Sequence, residues 1–137
     1  MRPARSCEIY IDGASRGNPG PSGIGAAFFD GGSRPVKQLS IYLGETTNNV
    51  AEYLALIYAL QEALRDGYTA VSVHTDSELL ARQLSGQYRV RDAQLRLFYG
   101  LAQHLIARFD RCAVAHIPRE QNVLADRLAG RAVKRQQ

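Results

Sequence analysis

The sequence predicts an α/β domain built on a mixed sheet, and three observations carry that prediction. Three strand-like runs follow one another closely at the start, joined by short polar turns, as an antiparallel meander requires. Strand and helix alternate after them, so the later strands return through right-handed crossovers and lie parallel to the first. The first and fourth strands each end in a carboxylate, Asp12 and Asp76, at the edge where α/β sheets place ligands.

The elements follow in order. Cys7 to Asp12 reads as the first strand, its apolar Ile9 and Ile11 pointing to a core. A loop of Gly, Asn and Pro follows, from Ala14 to Gly23. Gly23 to Asp30 is the second strand, Asp30 to Ser33 a turn, and Arg34 to Leu43 the third strand. Gly44 to Asn49 is a polar break with several N-cap candidates. A helix from Val50 to Arg65 carries Val50, Tyr53, Leu54, Ile57, Leu60 and Leu64 on one stripe, with Ala55, Leu56, Ala59 and Ala63 opposite. A helix apolar nearly all round is buried, which makes Glu52 an anomaly. Asp66-Gly67 ends it, and Ala70 to Asp76 is the fourth strand. Ser77 to Leu84 starts a helix at once. A loop from Ser85 to Arg91 leads to a helix from Asp92 to Phe109, with Leu95, Phe98, Leu101, Ala102 and Leu105 on one face. Cys112 to Ile117 is the fifth strand. Pro118 to Asn122 leads into a last helix from Val123 to Lys134, where Asp126 shares a face with Asn122.

The totals fit one domain spanning 1–137. With 45% hydrophobic and 22% charged residues the chain has an ordinary globular composition. No apolar run approaches the roughly 20 residues that span a bilayer, and the basic N-terminus lacks a signal-peptide core, so no membrane is expected and the cytoplasm is the expected compartment. Cys7 and Cys112 read as buried thiols without zinc-site spacing. A net charge of +4 and pI of about 9.3 suit a polyanionic partner. Gly17 to Gly23 lacks the Lys-Ser/Thr ending of a nucleotide-binding phosphate loop.

Four acids stand out: Asp12, Glu52, Asp76 and Asp126. Each has an ordinary explanation. Asp12 could cap a strand-to-loop turn, and Glu52 could answer the helix dipole. Taken together they sit on adjacent parallel strands and on helices that cover the sheet. Converging carboxylates cannot all ionise in a dry site without cations, and an all-oxygen set suits magnesium or manganese. Two such ions are the known device for in-line attack of water on a phosphodiester.

The chain resembles the type 1 ribonucleases H. The matching runs are Ile11-Asp12-Gly13 with Gly17-Asn18-Pro19-Gly20-Pro21, Thr46-Thr47-Asn48-Asn49-Val50-Ala51-Glu52, Thr75-Asp76-Ser77 and Asn122-Val123-Leu124-Ala125-Asp126. The resemblance implies a ribonuclease H-like fold: a five-stranded mixed sheet in the order 3-2-1-4-5, strand two antiparallel, helices on both faces. It implies that Asp12, Glu52, Asp76 and Asp126 are catalytic and hold two magnesium ions, with manganese an alternative. It implies endonucleolytic cleavage of the RNA strand of RNA–DNA hybrids, leaving 5′-phosphate and 3′-hydroxyl ends, by a monomer. Gly13, Asn18, Thr47, Asn48, Asn49, Ser77 and Asn122 match positions that meet the substrate, although the Asn pair also suits helix capping. Double-stranded RNA is a further candidate partner.

The match departs from the family in one region. Better-known members insert a basic helix where Ser85 to Arg91 makes a direct link. Tyr88, Arg89 and Arg91 are candidates to replace its contacts by stacking and phosphate binding. Some members carry a mobile His before the last acid. His116 stands at a suitable interval but reads as strand-bound, and Arg119 beside it could serve the same region. His74 reads as packing and His104 as surface. Two other classes compete: a binding module for hybrid or duplex RNA without turnover, and a DNA nuclease or junction resolvase on the same fold. The complete acid set opposes the first, and the Asn-rich contact motifs oppose the second.

Overall fold

A computed structural model describes residues 5–135. Five strands form one sheet in the order β3-β2-β1-β4-β5. They are β1 (Ser6–Ser15), β2 (Gly20–Phe29), β3 (Lys37–Thr46), β4 (Ala70–Thr75) and β5 (Arg111–His116). β2 runs antiparallel to both β1 and β3, while β4 lies parallel to β1 and β5 parallel to β4. The expected topology holds throughout.

The strand bounds differ from expectation at the end of the sheet that matters most. β1 and β2 extend through Ser15↔Ser22, so much of the Gly-rich stretch is a tight hairpin and not a loop. Arg16 N–H closes it by donating to the Pro21 carbonyl. β3 ends at Thr46, three residues past Leu43, because the Ser15 and Ser22 hydroxyls both donate to the Thr46 carbonyl, at 3.1 and 3.2 Å. Gly, Ser and Pro have weak strand propensity, and here the ladder and hydroxyls override it.

Helices cover both faces. α1 (Asn48–Arg65) packs over β1, with Thr47 as its N-cap accepting from Val50 N–H at 3.3 Å. Both its stripes are buried, from Val50, Tyr53 and Leu60 to Ala51, Ala55 and Ala59. α4 (Val123–Arg135) covers the opposite face over β2, β1 and β3. The helices lie directly on sheet backbone where glycine leaves room. A Cβ on Gly13 would fall 2.4 Å from the Ala51 carbonyl carbon of α1. One on Gly25 would fall 2.2 Å from the Ala125 carbonyl oxygen of α4.

α2 (Glu78–Leu84) and α3 (Ala93–Ile106) complete the described helices. α3 packs on α1 by a narrow stripe of Leu95, Phe98, Ala102 and Leu105. Leu101, expected on that stripe, is 46% exposed because the contact follows the 3-4-3 spacing and Leu101 lies one step beside it. Cys7 is buried and Cys112 half-buried, and burial pushes both thiols up to about 11, as inert packing residues require.

Candidate active site

Four elements bring the four acids together. Asp12 projects from β1 and is 5% exposed. Asp76 stands one residue past β4, Glu52 comes from α1, and Asp126 from the first turn of α4. One carboxylate oxygen from each of Asp12, Glu52 and Asp76 lies within 4.8 Å of the others. Asp126 lines the same cleft, its side chain close enough to raise the Asp12 carboxyl. Glu52, the anomaly of a buried helix, is aimed by its neighbour: Gly13 N–H donates to Glu52 Oε1 at 2.8 Å. The same glycine that lets α1 approach β1 therefore orients an acid of the cluster.

The electrostatics follow from this packing. Burial pushes the Asp12 carboxyl well above the ordinary carboxylate range, and Glu52, Asp76 and Asp126 add to the shift. Burial also raises Glu52, opposed by its Gly13 hydrogen bond and supported by the charges of Asp76 and Asp126. The acids repel one another, and among the described residues lining their cleft only Arg119 is basic. An oxygen-only set with excess negative charge and open access fits hard divalent cations.

The remaining candidates separate into groups. Gly13, Asn48, Asn49 and Arg119 line the acidic cleft. Asn18 braces its rim, with Oδ1 accepting from Asn48 N–H at 3.1 Å, and Thr47 is engaged as the α1 cap. Ser77 caps α2, accepting from Leu80 N–H at 3.2 Å. Asn122 differs from the surface contact expected of it. It is 1% exposed, and its amide donates to the Ile11 carbonyl at 2.8 Å. His116 ends β5, as its strand-bound reading required, and lines a separate hollow with Glu78 and Arg82. Tyr88 and Arg89 line a third hollow with Gln83, Arg96 and Tyr99. Arg82 lies over the Tyr88 ring, 5.3 Å from its centroid. His74 packs as expected, stacked on Tyr10 at 4.5 Å and bonded to Glu8 at 3.0 Å, and His104 is exposed.

Ala14 and Ser15 also line the cleft, and the sequence reading missed both. Ending β1 at Asp12 hid them. Alternation carried two residues further would have placed Ala14 on the same side as Asp12.

This fold, with two acids from its parallel strands and two from the helices that cover them lining one cleft, defines a class. A family model described as reverse transcriptase-like matches residues 10–132. Relatives narrow the assignment. The ribonuclease HI of Halobacterium salinarum is 40% identical over 90% of this chain and 62% of its own length. A bifunctional protein of Mycobacterium tuberculosis is 41% identical over 91% of this chain and 35% of its own length. The chain thus spans less than two thirds of these relatives. The crystal structure of the Halobacterium type 1 ribonuclease H superposes with a TM-score of 0.92 at 38% identity, covering 95% of this chain and 98% of that one. The LC11 type 1 ribonuclease H, solved with an RNA/DNA hybrid, superposes with a TM-score of 0.90 at 41% identity, covering 95% and 98%. The chain belongs to the type 1 ribonuclease H family.

Proposed function

We propose that this chain is a metal-dependent endoribonuclease that hydrolyses the RNA strand of RNA–DNA hybrids, leaving 5′-phosphate and 3′-hydroxyl ends. The observation that carries the reading is the convergence of Asp12, Glu52 and Asp76 oxygens within 4.8 Å, with Asp126 lining the same cleft. The likeness to a ribonuclease H solved on a hybrid supports the same substrate. The unit proposed is one domain, acting as a monomer in the cytoplasm. No helix among the described residues is long and apolar enough to cross a membrane.

Each residue has a part. Asp12, central and buried, would be a ligand for two magnesium ions, with manganese as the alternative. Glu52, Asp76 and Asp126 would complete the ligand sets. Bound ions of this kind activate a water for attack and neutralise charge on the leaving 3′ oxygen. Glu52 is held by Gly13 N–H, and its carboxylate would also meet a 2′-hydroxyl beside the scissile phosphate. Asn48 and Asn49 line the cleft with amides that can bind phosphate, sugar and minor-groove edges without reading sequence. Asn18, Thr47 and Ser77 hold that rim in place through the caps and braces already described. Arg119 offers the cleft a guanidinium for a phosphate. Tyr88 and Arg89 would grip the substrate away from the cut, as one ring and one charge.

The test is cleavage of an end-labelled hybrid by purified protein with magnesium, with manganese and with chelator, beside lanes of duplex DNA and duplex RNA. Loss of the hybrid's RNA strand alone, dependent on metal and absent from Asp12→Asn, is the expected result. Cleavage of duplex DNA at a similar rate, or cleavage in chelator, would overturn the proposal.

A further inference from the structure

We propose that Asn122 is a positioning residue that fixes Asp126 against Asp12 and so sets how tightly the acid cluster closes on its metal ions. The inference rests on reading the cleft as a metal site. Asn122 stands between a 3₁₀ turn, Arg119–Gln121, and the start of α4. Its Nδ2 donates to the Ile11 carbonyl at 2.8 Å. Only the NH₂ end of the amide can donate to a carbonyl, so its orientation is settled by chemistry.

The other end of the amide is less well served. Asn122 Oδ1 is buried and has no hydrogen-bond partner among the described residues. A buried acceptor left unmet is costly, and a residue that merely filled the space would avoid that cost. What the amide gains is its place in the chain. Ile11 immediately precedes Asp12 on β1. On its other side, the Asn122 carbonyl accepts from Asp126 N–H at 3.1 Å. The backbones bearing Asp12 and Asp126 are therefore joined through one short side chain.

Packing alone does not supply this constraint. Gly23 and Gly25 let α4 rest on β2, which fixes the height of the helix above the sheet. Steric contact of that kind resists approach more than sliding. A directional hydrogen bond just before the first turn ties the start of α4 to the β1 backbone beside Asp12. A residue this buried is not placed to touch substrate, so any effect on turnover must act through the acids.

The experiment compares wild type with Asn122→Ala and Asn122→Ser, the latter kept in case the former does not fold. Three quantities are read: melting temperature in chelator, the magnesium concentration that half-restores the metal-dependent melting shift, and kcat and KM on a hybrid. The expected result is a midpoint for magnesium raised about tenfold and kcat lowered about tenfold, with KM within about twofold of wild type. A lower melting temperature with unchanged magnesium midpoint and kcat would reduce Asn122 to a structural tie and overturn the proposal. A raised KM with unchanged midpoint would restore a substrate contact and overturn it as well. A wild type whose melting ignores magnesium would remove the metal reading itself, and this failure shows before any variant is measured.

Discussion

The acidic cleft and the α2–α3 arm are built to opposite standards of exactness. Around the cleft, helix backbone rests on strand backbone at Gly13 and Gly25, and an amide and a carboxylate are each tied to a β1 backbone group, at 2.8 Å in both cases. In the arm, Tyr88 and Arg89 are exposed, and an arginine lying over a ring orders the tyrosine. The difference follows from what each region must hold. Metal ions and a reacting phosphate tolerate little displacement, since reaction depends on geometry held to fractions of an ångström. A grip on a polyanion works through charge and stacking, which fall off slowly with distance.

The largest effect that would break this comparison lies in the cleft. Asp12→Asn, Glu52→Gln and Asp76→Asn should each lower kcat on hybrid by about a thousandfold or more, which corresponds to about 4 kcal/mol of barrier. Circular dichroism should show each variant folded. Appreciable turnover by any of them would remove that acid from the mechanism.

Next comes the glycine contact. Gly25→Ala would drive a methyl group to 2.2 Å from the Ala125 carbonyl oxygen. Urea unfolding should show a loss of about 3 kcal/mol, the upper range for an overpacked core. Gly100→Ala, where a Cβ meets nothing within 4 Å, is the matched control and should be neutral or slightly stabilising.

A smaller effect concerns pH. The carboxyls of Asp12 and Glu52 are raised in the fold, so their ionisation opposes folding. Below about pH 4 both are protonated folded or unfolded and the penalty vanishes. As pH rises through the raised values the penalty grows and stability is lost. In chelator, Asp12→Asn should therefore melt above wild type at pH 8 and level with it near pH 4. The expected gain at pH 8 is about 1–2 kcal/mol. Added magnesium should reverse the order by stabilising only wild type.

The smallest effect belongs to the arm. Arg89→Ala should raise the Kd for hybrid by about fivefold and reduce the slope of log Kd against log salt by about one, with kcat unchanged. A fall in kcat at saturating hybrid would mean that the arm, too, shapes the reaction.

The same contrast governs what could be read without coordinates. Asp12 and Asp76 were legible as acids at the ends of apolar runs, but each alone also suits a turn, and only the set of four pointed to a metal site. A cap within Gly44 to Asn49 was legible from the polar break before an apolar stripe, but not that Thr47, and neither asparagine, supplies it. The sheet order came from the resemblance, since local pattern supports only a meander followed by crossovers. The extension of β1 to Ser15 was hidden because Gly and Ser are poor strand formers that hydroxyl bonds to Thr46 hold in the ladder. Asn122 read as substrate-facing because the resemblance matched it to a substrate-contact position. Its burial depends on the Ile11 carbonyl, a partner 111 residues away in the chain that no local window contains. Leu101 misled for the converse reason: a wide apolar face suggests a wide contact, and α3 uses only a narrow one.

The glycine contacts make the dimensions of the cleft adjustable in one direction only. A glycine has no side chain to shed, so every substitution at Gly13 or Gly25 can push α1 or α4 outward and none can draw them in. The span between opposing acids therefore has a floor, set by the van der Waals radii of two touching backbones. Selection on this chain could widen the site toward larger ions by a single methyl group. Narrowing it toward a smaller ion would require rebuilding the sheet.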